Sequence, residues 1–434
     1  MKRLRFVVFC FVLMVAGQGR AQDLIFSEIL TQALVHSYDL KTAGLEKEIR
    51  QERLAEAGAM YFPTLSLGFT NEYIHDLGND AAKTVSVGET LIPGNESTFQ
   101  HSLALSGQYL LYDFGVQKLK YGNAERDIVL AQHAVAQRLI DLKIEVLSLF
   151  GTGVRLQKKI ETWSALLGHR KEVYEFTRRL VASGSRDKPE QGIAAISVAD
   201  ALQNCEALQM EMIGVIEKLA FFTGKSYSLA EVRFMDFPDQ AGAAVMADGS
   251  KLPEIRAYDV AIEQKKAEVD IALRHWLPRL SLYSSFRMYG DDRTDFVNSL
   301  DSLEEKNAAI GLVVSMNLFN GFSDAAKARR LQKEMEKLKI EKEKKTAEDE
   351  QKLNTLARKD VLSEQGLGNA GTYRLTLNDQ ETMGERLSGQ QIIDRISLLQ
   401  QKEAQMEKHL VLTLAEVERR MNVLQLQMLA EGAI

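Results

Sequence analysis

The chain has 434 residues, enough for two or three ordinary domains, and its six prolines and 29 glycines leave little room for linkers or a disordered tail. Its 54 basic and 60 acidic residues give a net charge of −6 with no concentrated basic stripe, which argues against nucleic acid as the main partner. Two cysteines, Cys10 and Cys205, cannot build a disulfide framework, and the seven histidines show no HxxxH or HExxH pair that would hold a metal.

Taken from the start, Lys2, Arg3 and Arg5 precede an apolar run from Phe6 to Gly17, followed by Gly19-Arg20-Ala21. This is the pattern of a secretory signal peptide over residues 1–21, cleaved after Ala21 to leave Gln22 first. The apolar run is too short to span a bilayer. Cys10 lies inside it and is followed by Phe11, which argues against a lipoprotein cleavage site. Four of the 54 basic residues and none of the acidic ones lie in those 21 positions, so the rest carries 50 against 60, a net of −10. No later stretch approaches the roughly 18 consecutive apolar residues of a membrane helix. Any crossing of a membrane falls to β-strands.

Four segments alternate apolar and polar residues with period 2. Leu65, Leu67, Phe69 and Tyr73 alternate with Thr64, Ser66, Gly68 and Thr70; Leu103, Leu105, Tyr109 and Leu111 oppose Gln100, Ser102, Ser106 and Gln108. Later, Leu280, Leu282, Phe286 and Met288 oppose Arg279, Ser281, Ser285 and Arg287, and Ile310 to Leu318 alternate with Gly311, Val313, Ser315 and Asn317. These predict two hairpins, 64–111 and 279–319, with strands of the length that crosses a bilayer when tilted. Polar loops near 76–98 and 290–307 join each pair. Period alone also fits two half-buried hairpins of a soluble sheet. In a membrane, four strands cannot close a barrel and an open edge is forbidden, so the barrel has to be shared between subunits.

From Val116 to about Ala182 there is no proline, and apolar residues recur at spacings of three and four, predicting a helix about 100 Å long. A second long helix runs from Ser323, and a last one from about Gln391. Lys333 to Lys352 holds seven basic and seven acidic residues, which reads as a solvated helix face.

The chain is also a duplication. Tyr61-Phe62-Pro63-Thr64-Leu65-Ser66-Leu67 matches Trp276-Leu277-Pro278-Arg279-Leu280-Ser281-Leu282, and Leu111-Tyr112-Asp113-Phe114-Gly115 matches Leu318-Phe319-Asn320-Gly321-Phe322. Pro63 and Pro278 mark the same helix-to-strand junction in each copy, because a proline ring cannot continue the helix ladder. The expected organisation is a first repeat at 22–225, a linker at 226–252 and a second repeat at 253–434, with helix turns near 184–200 and 384–391.

On the duplicated Pro-x-Leu-Ser-Leu strand starts, the Leu-Tyr-Asp-Phe-Gly and Leu-Phe-Asn-Gly-Phe strand ends, and the two helical hairpins, the chain resembles the TolC family of outer-membrane factors over nearly its whole mature length. The resemblance implies a mixed α and β fold: a long α-helical barrel continued by a transmembrane antiparallel β-barrel. It implies a homotrimer with four strands per protomer, twelve in all. The implied function is the exit duct of a tripartite efflux or type I secretion system in a Gram-negative-type outer membrane. Implied partners are outer-membrane lipid, a periplasmic adaptor (membrane fusion protein) and an inner-membrane pump of RND or ABC type.

The resemblance also implies where function sits. Gly192-Ile193-Ala194-Ala195-Ile196-Ser197 resembles the family's first-repeat turn, placed at Gly192 to Asp200, and Arg386-Leu387-Ser388-Gly389, followed by Asp394, resembles the second. Gly192, Ile193, Ala194, Ser197, Leu387, Ser388 and Gly389 are then adaptor contacts, and Asp394, Asp200 and Arg386 the periplasmic constriction. Carboxylates repeated threefold form a ring that favours cations; ion pairs from Arg386 to a neighbour hold the helices closed. The bland alternative leaves both aspartates on solvated helix surfaces. Ser183 to Glu190 reads as an extra polar loop before that first turn.

Catalysis finds no support: no Ser, His or Cys has a partner at catalytic spacing, and Gly151-Thr152-Gly153 lies in helical sequence without a third glycine. The fourteen methionines form no cluster for a soft-metal path, so no metal or cofactor is expected. A periplasmic coiled-coil scaffold, or an outer-membrane adhesin or receptor, are the competing readings. The first leaves the strands without a role, and the second usually closes its barrel within one chain.

Overall fold

The computed structural model describes residues 22–74, 85–87, 90–92, 98–238, 249–292, 295–301, 305–390 and 394–432. The expected signal peptide and much of the loop expected near 76–98 lie outside the described residues. The chain forms two compact units, one from the segments up to Leu45, Gln132–Ala257 and Lys342–Ile434, the other from Glu46–Ala131 and Tyr258–Glu341. This division cuts across the sequence repeats, since each unit takes segments from both.

Among the described residues the helices are α1 (Phe26–His36), α2 (Tyr38–Ala59), α3 (Val116–Ala182), α4 (Lys188–Thr223), α5 (Pro253–Arg274), α6 (Phe296–Asp301), α7 (Ser323–Gly389) and α8 (Arg395–Gly432). The strands are β1 (Gln22–Leu24), β2 (Thr64–Ile74), β3 (Val85–Val87), β4 (Thr90–Ile92), β5 (Thr98–Tyr112), β6 (Val232–Phe234), β7 (Arg279–Asp292) and β8 (Glu305–Ser315). Both α3 and α7 run 67 residues without a proline to interrupt their ladders. No described helix is long and apolar enough to cross a membrane.

The unit built from Glu46–Ala131 and Tyr258–Glu341 carries an antiparallel sheet in the order β2-β5-β7-β8. Its register sorts the residues cleanly. Leu67, Leu105, Phe286 and Ala308 lie in one row, and Leu65, Gly107, Ser284 and Ile310 in another on the same face. The opposite face carries Ser66, Ser106, Ser285 and Ala309, then Gly68, Ala104, Arg287 and Asn307. The apolar face is solvent-facing in one chain: Leu67 is 70% exposed and Ile310 76%. Among the described residues, β2 and β8 each have one neighbour in this sheet, so each leaves an edge of unpaired backbone groups.

Two sequence expectations shift here. The fourth strand was expected to reach residue 319 but ends at Ser315, because β7, its hydrogen-bonded neighbour, begins at Arg279, whose partner is Ser315. The loop expected at 290–307 is shorter, since β7 extends to Asp292 and α6 follows, Phe296 packing edge-on against His101 at 4.8 Å.

Beneath the sheet, Gln264 donates to the Asp127 carboxylate at 2.7 Å and to the Asn123 carbonyl at 3.1 Å, tying α5 to α3. Asp113 caps α3, accepting from the Gly115 and Gln117 backbone N–H groups at 3.1 and 2.7 Å. Both strand-to-helix junctions turn through two consecutive left-handed residues, Phe114-Gly115 (φ 57° and 82°) and Gly321-Phe322 (φ 67° and 64°). A left-handed phenylalanine costs about 1–2 kcal/mol, and each junction bears that cost once.

The other unit has its core around Phe150, fully buried, with the rings of Phe26, Phe234 and Phe237 at 5.5, 5.4 and 5.3 Å. β1 and β6 form a short parallel ribbon in which Leu24 pairs with Phe234. Gly151 and Gly153 face this core from α3: a Cβ at Gly151 would meet Met421 Sδ at 2.2 Å, and one at Gly153 the Phe234 ring at 2.4 Å. A second cluster gathers Ile140, Ile255, Leu353 and Leu426.

Candidate functional site

The candidate site lies within the first of these units, where α3 turns into α4 and α7 into α8. The turn falls at Ser183–Asp187, not at Gly192–Asp200, which is helical throughout. Local chemistry explains the correction. Gly184 adopts φ +75°, and Ser183 and Ser185 donate backbone N–H groups to the Arg179 and Leu180 carbonyls, closing α3. Asp187 is extended at the N-cap, and Pro189 occupies the first turn of α4. The stretch read as an extra loop is therefore the turn itself. On the other side α7 continues through Arg386, Leu387, Ser388 and Gly389, which were expected in a turn; the break follows Gly389. Residues 391–393, where the last helix was expected to begin, lie outside the described residues, and α8 starts at Arg395.

Asp394 caps α8: its Oδ1 accepts from the Ser397 backbone N–H at 2.7 Å. Those Ser397 hydrogen bonds, with Arg186 nearby, hold its carboxyl below the ordinary aspartate range. Arg186, in the α3–α4 turn, pairs with Glu190 at 2.6 Å and reaches Asp394 Oδ2 at 3.5 Å, so one guanidinium links the two turns. Arg395 bonds Glu172 of α3, and Lys402 pairs with Glu385 of α7 at 2.7 Å.

About three turns back from the end of α3, Arg170 gathers three elements. Its guanidinium contacts Asp200 of α4 at 3.0 Å, the Ser197 carbonyl at 3.1 Å and Glu403 of α8 at 3.4 Å, and lies 5.6 Å from the Trp163 ring centre. Arg170 and Glu403 are largely shielded, 15% and 18% exposed, whereas Asp200 is 59% exposed. Burial pushes the Glu403 carboxyl up, against the pull of Arg170. Two residues on, Gln405 is buried and, among the described residues, its side-chain amide has no hydrogen-bond partner.

Of the expected site residues, Asp394 and Asp200 each meet a cation, Arg186 and Arg170, though not each other. Arg386 is exposed and, among the described residues, its side chain has no ion-pair partner. Ala194 is buried; Gly192, Ile193 and the adjoining Ile196 are exposed, the isoleucines at 68% and 71%. Leu387 and Ser388 are half-buried. Pro63 and Pro278 immediately precede β2 and β7. Arg170, Arg186 and Glu403 went unnoticed in the sequence. Only the Arg186–Glu190 pair carries a local signal, a spacing of four.

The carboxyl shifts set opposite pH dependences. Glu403 titrates above its unfolded value, so its contribution to stability falls as pH rises from the unfolded to the folded value. Asp394 titrates below its unfolded value, and its contribution is lost as pH falls through the folded value. Glu403→Gln should therefore flatten the decline on the alkaline side of the ordinary glutamate range, while Asp394→Asn flattens the acidic limb. Thermal midpoints of the two variants across pH 3 to 7 check the assignment; parallel profiles would refute it.

No protein-family model matches the chain, and no curated protein matches it in sequence. Solved structures do match. The outer-membrane protein VceC from Vibrio cholerae superposes with a TM-score of 0.75 at 15% identity, covering 94% of this chain and 95% of that one. The Campylobacter jejuni CmeC outer-membrane channel gives 0.73 at 12%, covering 94% and 85%. The open state of the Neisseria gonorrhoeae MtrE outer-membrane channel gives 0.67 at 15%, covering 96% and 93%. The chain has the fold of these channels.

Proposed function

We propose, from the fold shared with outer-membrane channels of the TolC family, that this chain is one third of an outer-membrane exit duct. The observation that carries the reading is the sheet: four strands, one apolar and one polar face, and two open edges. Lipid demands both an apolar outer face and no free edge. Three copies joined β8 to β2 meet that demand with twelve strands, and the polar face then lines the lumen.

In this reading residues 1–21 are removed on export, the two sequence repeats build one protomer, and the long helices extend into the periplasm as the helical barrel. The duct works in a tripartite efflux or type I secretion assembly with a periplasmic adaptor and an inner-membrane pump of RND or ABC type. Exposed Ile193 and Ile196, with Gly192, Ser197 and the Leu387-Ser388-Gly389 end of α7, supply the surface on which the adaptor docks. Asp394, Asp200 and Arg386 belong to the constriction, and the two aspartates have cationic partners that the sequence did not indicate. Arg186 holds Asp394 and Arg170 holds Asp200 within one protomer, so the closed state is secured inside each chain as well as between chains. Exposed Arg386 is available to a neighbouring protomer.

Detergent-extracted outer membranes should yield a heat-stable trimer that conducts ions in planar bilayers. Arg186→Ala and Asp394→Ala should each raise that conductance several-fold by releasing one turn from the other. A soluble monomer refutes the duct, and unchanged conductance in both variants refutes the latch. Neighbouring genes for a drug pump, a metal pump or an ABC exporter would identify the cargo.

A further inference from the structure

We propose that exposed basic residues at the starts of α3 and α7 form a collar that binds the phosphates of anionic glycerophospholipids; this rests on the outer-membrane reading above. Lys118, Lys120, Lys327 and Arg329 are all exposed, and among the described residues none has an ion-pair partner. They lie just below the places where β5 ends and where the chain leaves β8. At 1.5 Å per residue, all four fall within about 9 Å of the first residue of their helix. Helical side chains lean toward the helix N-terminus, so these four lean back toward the sheet. A headgroup layer about 5–7 Å thick lies within reach of such long side chains.

The level of that layer is marked independently. Phe62, Tyr112, Trp276, Phe319 and Phe322 are 56–72% exposed, and all sit at the four junctions between helix and sheet. Aromatic rings in that position belong at the boundary of hydrocarbon and headgroups. The two left-handed phenylalanines sharpen the point. Glycine would fit either torsion without strain, yet each junction keeps a ring there, Phe322 with 72% of its surface uncovered. Internal packing does not account for a strained and exposed ring; contact with lipid does.

Charge then selects the headgroup. The first turn of α3 has no acidic residue. Asp113 is buried in its capping role, and Asp324 is engaged by His275 at 2.9 Å. Lys118, Lys120 and Arg329 have no acidic residue within four positions on their own helix, and the one beside Lys327, Asp324, already contacts His275, although the chain as a whole is acidic. An anionic phosphodiester such as phosphatidylglycerol fits them better than zwitterionic phosphatidylethanolamine.

The test is native mass spectrometry of the full protein purified in detergent, with phosphatidylglycerol or phosphatidylethanolamine added in graded amounts. The native protein should retain the anionic lipid about tenfold better. Changing Lys118, Lys120, Lys327 and Arg329 to glutamine together should abolish the preference without altering the oligomer's mass. The same number of glutamines at Lys333, Lys337, Lys339 and Lys344, farther along α7, should preserve it. Equal retention of the two lipids by the native protein overturns the collar alone, as does an undiminished preference in the first variant. A native protein recovered in the soluble fraction without detergent overturns the collar and the outer-membrane reading together.

Discussion

Leu67→Arg is expected to remove the heat-stable trimer from the outer membrane, while Ser66→Arg, one residue away, leaves it in place. The two side chains lie on opposite faces of β2, and the rows they head are Leu105, Phe286 and Ala308 against Ser106, Ser285 and Ala309. In the proposed trimeric barrel an arginine at position 67 faces the middle of the bilayer at a cost of about 2–4 kcal/mol, imposed three times by symmetry. At Ser66, on the face proposed to line the lumen, the same guanidinium stays in water and costs little. Immunoblots of unboiled outer-membrane fractions read the result directly. Equal loss in both variants would mean that the sheet has no lipid face; equal tolerance would mean that it does not lie in a membrane.

Gly153→Ala should lower the unfolding midpoint although alanine is the better helix former. Replacing a helical glycine gains about 1 kcal/mol of propensity. Against that, the new Cβ lies 2.4, 2.6 and 2.8 Å from three atoms of the Phe234 ring. That ring has little freedom to retreat: it is 3% exposed, packs on Phe150, and its backbone N–H donates to Gln157 Oε1 at 2.7 Å. Overpacking of a tight core costs about 1–3 kcal/mol, so the clash exceeds the propensity gain. Phe234→Leu should recover most of the loss in the double variant, because it withdraws the atoms that collide. At Gly151 the corresponding change should be milder, since the contact is the flexible end of Met421. A more stable Gly153→Ala protein would refute the account.

Much of the fold was legible because its signals are local. Period-2 alternation located the four long strands, Pro63 and Pro278 marked where two of them begin, and the proline-free stretch from Val116 to Ala182 is a single helix. The first helix turn was misplaced for an instructive reason. Gly184 and Pro189 are ordinary stop and start signals, but the small residues from Gly192 to Ser197 matched a family pattern and outweighed them. The short β3–β4 hairpin and α6 went unread, being only three to six residues each. At the site, the aspartates were identified without their partners. Arg170 meets Asp200 and Glu403 across 30 and 233 residues of sequence, a juxtaposition that only tertiary packing creates.

The paired left-handed residues at the two strand-to-helix junctions bear on how the two halves of the chain compare. One copy writes the turn as Phe-Gly and the other as Gly-Phe, so an alignment sets phenylalanine against glycine at both positions and counts two mismatches. In torsion angles the two copies agree: φ 57° then 82°, φ 67° then 64°. At this corner the likeness of the two halves is thus kept in the path of the backbone and not in its spelling. A comparison of letters passes over that likeness, and a comparison of torsion angles finds it.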